Sequence, residues 1–240
     1  MHEIWITKLF NDYLAGPGNA ALGLVGRPAV ARPWEDFMTM QLLVVVLTMV
    51  LFALIRTRLS SDKPGKLQQS FELIYNFLGG EAESYIEHHS AEYVPYFGTI
   101  FLFVLFCNLI GLIPGLEAPT MFPYVPAGCA IATFVYYNAM GARANGVGYL
   151  MHFVGPSWGL AVLMIPIEIV SNLARPLSLT VRLFANMFAG EQVTMVFLGL
   201  TKFIVPVAFM ALHVFVSLLQ AYIFALLSMA YVGGAVSHEH

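Results

Sequence analysis

Phe37 to Ile55 is uncharged and almost continuously apolar, about the length needed to cross a hydrocarbon core ~30 Å thick, and it predicts a first membrane span. Before it, residues 1–36 mix apolar and polar positions. Gly16-Pro17-Gly18 and Arg32-Pro33 are expected to break any long helix there, and Trp34 stands where an interfacial aromatic would anchor the span. After it, Leu67, Phe71, Ile74, Tyr75 and Leu78 recur at helical spacing between Lys66 and His89, interrupted by Gly79-Gly80 and followed by Glu81, Glu83 and Glu87. That pattern predicts an amphipathic helix lying on the membrane surface. A second span is expected from about Pro95 to Ile113 and a third from about Ala127 to Met140. Two longer apolar segments, about 158–190 and 201–232, close the chain. Each exceeds the ~20 residues of an upright span, so both are expected to tilt strongly, bent at Pro166, Pro176 and Pro206.

The predicted fold class is therefore all-α, a polytopic transmembrane protein with about five spans and one amphipathic surface helix. Its parts would be an N-terminal extracytoplasmic segment (1–36), a first span with a cytoplasmic amphipathic helix (37–92) and a membrane channel domain (93–240). Composition agrees, since 10% charged residues is far below the ~25% of soluble domains. Arg56, Arg58, Lys63 and Lys66 directly follow the first span and put that end in the cytoplasm, hence the N-terminus outside and the C-terminus inside. Lys8, Arg27 and Arg32 weigh against that orientation. A net charge of −3 gives no electrostatic case for nucleic acid. Met1 to Asn11 lacks the basic-then-apolar pattern of a cleavable signal.

Several chemistries find no support. Cys107 and Cys129 lie inside apolar segments and read as small buried hydrophobes. His88-His89, near Glu87 and Glu92, lacks the spacing of a zinc motif and reads as a solvated helix end. The Gly141–Gly148 loop lacks the Gly-Lys-Ser/Thr ending of a phosphate-binding loop. No hydrolase motif occurs, and neither metal nor cofactor is expected. Asn108, the one strong hydrogen-bonding side chain of the second span, is expected to bond a neighbouring helix.

The polar positions of the fourth span are concentrated. Glu168, Arg175 and Arg182 follow in steps of seven, with Ser171, Asn172, Ser178 and Asn186 at intervening steps of three or four, so they share one broad helix face. From Glu168 to Arg182 is about 21 Å at 1.5 Å per residue, most of the apolar thickness of a bilayer. His213, Ser217 and Gln220 likewise share a face of the last span. Ionisable groups inside a membrane are expensive and usually functional, and this set resembles a hydrated ion path. Glu168, Glu191 and His213 can pass protons. Arg182 stays protonated and cannot, and it would hold an approaching carboxylate in its ionised form. The physics suggests two half-paths separated by Arg182, completed by a carboxylate on a partner. A back-bond to the preceding turn is an alternative for Ser171 and Ser178, and a plain interhelical bond for Gln220.

The segment Ser178-Leu-Thr-Val-Arg182-Leu-Phe-Ala-Asn186-Met-Phe-Ala-Gly-Glu191 resembles the signature of subunit a of F-type ATP synthases. Pro166-Ile-Glu168 through Arg175-Pro176, His213 through Phe224, and Asn108 through Pro114 also match, in the same order. The resemblance implies a proton-translocating stator in the bacterial plasma (inner) membrane, not an enzyme by itself and not a homo-oligomer. Its implied partners are a rotating c-subunit ring, peripheral-stalk b subunits, membrane lipid and, indirectly, the nucleotide-binding F1 sector. It implies that Arg182 faces the ring carboxylate. Asn186, Glu191, His213 and Gln220 would belong to the outside half-channel, and Glu168, Ser171 and Ser178 to the cytoplasmic one. Arg175 is left without a role. The competing reading is a stand-alone secondary cation transporter or antiporter using the same buried charges. It expects an internal repeat, and the early spans hold no counterpart of the 168–191 seam.

Overall fold

The computed structural model describes residues 4–24, 26, 28–57, 59–60, 64–86, 90–113, 115–146, 161–200 and 204–236. Among them are eight α-helices and one 3-10 turn, and no strand. The expectations for Glu87, His88 and His89 fall outside the described residues.

Two short helices come first, α1 (Trp5–Tyr13) and α2 (Ala15–Leu24). The break between them falls at Leu14, just before Gly16-Pro17-Gly18, which occupy the first turn of α2, where a proline's missing N–H has no intrahelical acceptor anyway. No long helix forms before the first span. Instead Trp34 is tied back to α1 and α2. Its backbone exchanges two hydrogen bonds with the Asn11 amide, and its indole N–H donates to the Leu14 carbonyl at 2.8 Å.

The first span is α3 (Asp36–Thr57), with Asp36 in its first turn and Arg56 in its last, each at the end of the helix dipole that favours its charge. Next are α4 (Lys66–Tyr85), α5 (Ser90–Ile110) and the 3-10 turn Pro119–Met121, followed by α6 (Tyr124–Asn145). Gly146 ends α6 with a φ of 54°, a conformation costly for other residues. Two long helices complete the chain, α7 (Ala161–Leu200) and α8 (Ile204–Val236). At 1.5 Å per residue they run about 60 and 50 Å, too long to stand upright in a ~30 Å hydrocarbon layer.

Among the described residues, three helices are long and apolar enough to cross a membrane: Asp36–Thr57, Ser90–Ile110 and Val207–Val236. The other two expected spans are helical as well, but α6 and α7 carry more polar residues. In α5, 56% of the apolar window is buried, against 17% in α3. α5 is thus the central post, packed on α3, α4 and α8, while α6 fits between α7 and α8. One core joins α4 through α8, with Phe97, Val104, Leu183, Met187 and Met229 fully or almost fully buried. The apolar stripe expected on α4 is shifted. Leu78 and Ala82 are buried and Phe71 and Ile74 half-buried, whereas Leu67 and Tyr75 are exposed. Cys107 and Cys129 are free and buried, as expected.

The bundle has two distinguishable ends. At one, the Ile4 amide donates to the Asp36 carboxylate at 3.2 Å, and Thr7 and Thr39 share a hydrogen bond of 2.6 Å. The loop after α5 packs at the same end. At the other, the Asn145 amide reaches the Ala235 carbonyl at 3.0 Å, and the backbone of Gly233 abuts the Tyr85 carbonyl so closely that no side chain fits at 233.

Candidate functional site

α7 buries a narrow stripe of Asn172, Leu179, Leu183 and Met187, spaced seven, four and four residues apart. The expected polar seam runs along one border of this stripe and does not act as a single face. Asn172 is drawn into the core, where its side-chain carbonyl accepts a hydrogen bond from the buried Tyr137 hydroxyl. Arg175 turns toward α6 and α8. Its guanidinium lies 5.8 Å from the centroid of the Tyr137 ring and 5.3 Å from that of Tyr231, a cation–π bracket between two helices. Glu168 and Arg182 are half-buried, while Ser171, Ser178 and Asn186 are exposed. Among the described residues no carboxylate pairs with Arg182 and nothing hydrogen-bonds to it. A heptad falls short of two full turns of a straight helix by about 20°, so Arg182 has rotated about 40° from Glu168 over two heptads.

On α8, His213, Ser217 and Gln220 form one buried face. The His213 Nε2 and Ser217 Oγ atoms are buried and have no hydrogen-bond partner among the described residues. Asn108 is fully buried beside this face and bonds the neighbouring helix as expected. Its amide donates to the Ser217 carbonyl at 3.4 Å, and its side-chain oxygen accepts the Thr120 hydroxyl at 2.6 Å. The loop, α5 and α8 are thereby joined at a single side chain.

Two cavities meet at His213. One, of about 590 Å³, is bounded by Glu117, Glu191, Thr194 and His213, with Ile4 and Trp5 of the N-terminal segment. The second, of about 320 Å³, is bounded by Asn186, Gly190, Thr194, Phe209 and His213. His213 and Thr194 face both. Titratable and amide groups thus follow one another from Glu117 through Glu191 and His213 to Asn186, one turn from Arg182. Gly190 makes room for the imidazole: a Cβ there would stand 3.2 Å from Nδ1 and 3.4 Å from Cε1 of His213. Gln220, two turns beyond His213, borders neither cavity, and nor do Glu168, Ser171 and Ser178.

The sequence reading overlooked Glu117 and Gly190. Glu117 was visible as the sole charge of a proline-rich loop. Its position depends on how that loop folds back. Gly111 lies against Ala118, where a Cβ would come within 2.8 Å of the Ala118 Cβ, and Gly115 has a φ of 89°. Neither position admits another residue without strain. Glu117 lies outside the membrane-spanning segments, and burial, with a contribution from the Asp36 charge, raises its carboxyl above the ordinary value.

Fold and site together define a polytopic helical membrane protein with cavities bordered by ionisable and amide side chains. Residues 37–233 match the family described as ATP synthase A chain, and the chain belongs to that family. It is 66% identical over 233 residues to "ATP synthase subunit a" of Solibacter usitatus (strain Ellin6076), covering 97% of this chain and 100% of that protein. It is 47% identical over 242 residues to the protein of the same name from Koribacter versatilis (strain Ellin345), covering 100% and 99%. To that of Geobacter sulfurreducens it is 37% identical over 215 residues, covering 90% of each.

Proposed function

We propose that this chain is the proton-conducting stator subunit of the membrane Fo sector of an F-type ATP synthase. Membership of the ATP synthase A chain family carries the proposal, and the paired cavities ending one turn from Arg182 support its mechanism. Protons enter from outside through the larger cavity, pass Glu191 and His213, and reach a ring carboxylate beside Arg182 by way of Asn186. Gln220, buried two turns further along α8, is assigned to the same half-path by its place in the family motif, although it borders neither cavity. Arg182 cannot give up its proton, so it blocks a direct wire across the membrane. It also favours ionisation of each ring carboxylate as it passes. After nearly a full turn of the ring, the proton leaves on the cytoplasmic side along Glu168, Ser171 and Ser178. Rotation then drives ATP synthesis in the separate F1 sector, and this chain holds no nucleotide. The ring, the b-type peripheral stalk and F1 are its partners, in a bacterial plasma membrane with the N-terminus outside and the C-terminus cytoplasmic. The grouping of the N-terminal segment with the 111–121 loop, and of α4 with the C-terminal end of α8, fits that topology.

The test is Arg182→Ala in inside-out vesicles carrying the assembled complex. ATP-driven acidification is expected to vanish while the ring, stalk and F1 subunits still copurify. Pumping at the wild-type rate would overturn the proposal, as would a chain that purifies in mild detergent as a homo-oligomer free of those partners.

A further inference from the structure

The loop between α5 and α6 brings one acid into the outer cavity that the motif does not contain. Glu117 is half-buried and borders the same ~590 Å³ space as Glu191 and His213. The cavity is aimed at a group that lacks a partner: His213 is 7% exposed, and its buried Nε2 has no hydrogen-bond partner among the described residues. A buried imidazole nitrogen in that condition calls for water or a proton carrier. The Glu117 and Glu191 carboxylates border this one space together. The charged groups around Glu117 are Asp36 at the start of α3 and Glu191 on α7. His213 lines the same cavity from α8, while Ile4, just before α1, and Trp5, its first residue, add apolar surface, and the 3-10 turn adds nothing charged. Asp36 is already engaged by the Ile4 amide. Among the described residues lining this space, Glu117 is therefore the one carboxylate besides Glu191 placed to exchange protons with it.

We propose that Glu117 is a proton-collecting station at the mouth of the outer half-path, capturing protons from the extracytoplasmic solution and passing them inward toward Glu191 and His213. The step is simple proton exchange. The Glu117 carboxylate takes a proton from solvent, releases it through cavity water to Glu191 or His213, and returns to its ionised form. A carboxyl whose affinity for protons is raised by burial is suited to capture when protons are scarce. Two carboxylates in one space also favour handover, because protonating either relieves the other. This inference rests on the proposed function above, since without proton flow the station has no cargo.

The test uses the whole complex in liposomes with F1 facing out, so that the lumen stands for the extracytoplasmic side. ATP synthesis at fixed driving force is followed as lumen pH is raised, for wild type, Glu117→Gln, Glu117→Asp and Arg182→Ala. Glu117→Gln is expected to match wild type in an acidic lumen and to fall behind progressively as pH rises. The deficit should reach roughly tenfold, the lower end of what a focusing charge does for encounter rates. Glu117→Asp, which keeps a carboxylate one methylene shorter, should recover most of the rate. Glu117→Gln within about twofold of wild type at every pH would overturn the inference, as would a loss of equal size at all pH values, the mark of a merely structural position. If Glu117→Gln does not assemble, Glu117→Ala carries the same test, and a profile that coincides with wild type at every pH overturns the idea. An inactive Arg182→Ala beside a flat Glu117→Gln profile would reject only this inference. An active Arg182→Ala would reject the functional reading itself.

Discussion

The two ends of the α7 seam are furnished differently. Toward its C-terminal end, Glu191 faces a partly open cavity walled by α8, the loop after α5 and the N-terminal segment. Toward its N-terminal end, Ser171 and Ser178 are exposed on the surface and Glu168 is only half-buried. One of the two proposed half-paths would thus be built largely within this chain, whereas the other presents polar groups outward, where a second surface can complete it. A group fixed inside a packed cavity is sensitive to small displacements. A hydroxyl on an open face can be replaced by water.

That difference orders the expected effects of mutation. Glu191→Gln should reduce coupled pumping by roughly 100-fold, the low end of what a positioned proton-transfer group contributes. A loss of less than threefold in vesicles with normal subunit content would break the comparison at its stronger side. Gly190→Ala places a methyl 3.2 Å from His213 Nδ1, so the imidazole must yield by a few tenths of an ångström. Pumping should drop several-fold, roughly fivefold, because small misplacements of reacting groups are costly. An unaltered rate, with complex assembly unchanged, would show that the His213 position is not critical. The smallest effect is expected for Ser171→Ala and Ser178→Ala. Exposed substitutions leave stability within about 0.5 kcal/mol, and pumping should stay within about twofold of wild type. A tenfold loss from either serine would mean that the exposed end is as tightly built as the end walled by α8.

Much of this was legible in the sequence because hydropathy and helical period report directly on burial in a membrane. The helices, the length of the last two, and the seven-residue spacing of Glu168, Arg175 and Arg182 followed from pattern alone. What pattern could not resolve is where along a face the packing edge falls. Asn172 and Ser171 are adjacent in sequence, yet one bonds Tyr137 in the core and the other is exposed, because the buried stripe is narrow. Arg175 had no assignable role until Tyr137 and Tyr231, far away in sequence, were seen to bracket it. Glu117 depended on backbone events at Gly111 and Gly115, a close approach and a left-handed turn, which have no periodic signature. The shifted stripe on α4 has the same origin: the apolar spacing defined a helix, but α5 and α8 decided which residues it covers.

The aromatic bracket around Arg175 also bears on leakage. Aromatic faces hold a guanidinium without neutralising it, and among the described residues no carboxylate joins the bracket. Arg175 and Arg182 are therefore two permanent like charges about 10.5 Å apart along one helix. At an effective dielectric constant of 20, a monovalent ion 10 Å from either would be opposed by about 1.7 kcal/mol, and both fields add for an ion between them. A free cation meets this barrier with its full charge. A cation bound to a carboxylate, whether proton or alkali ion, travels as part of a neutral pair, so the same field leaves it nearly untouched.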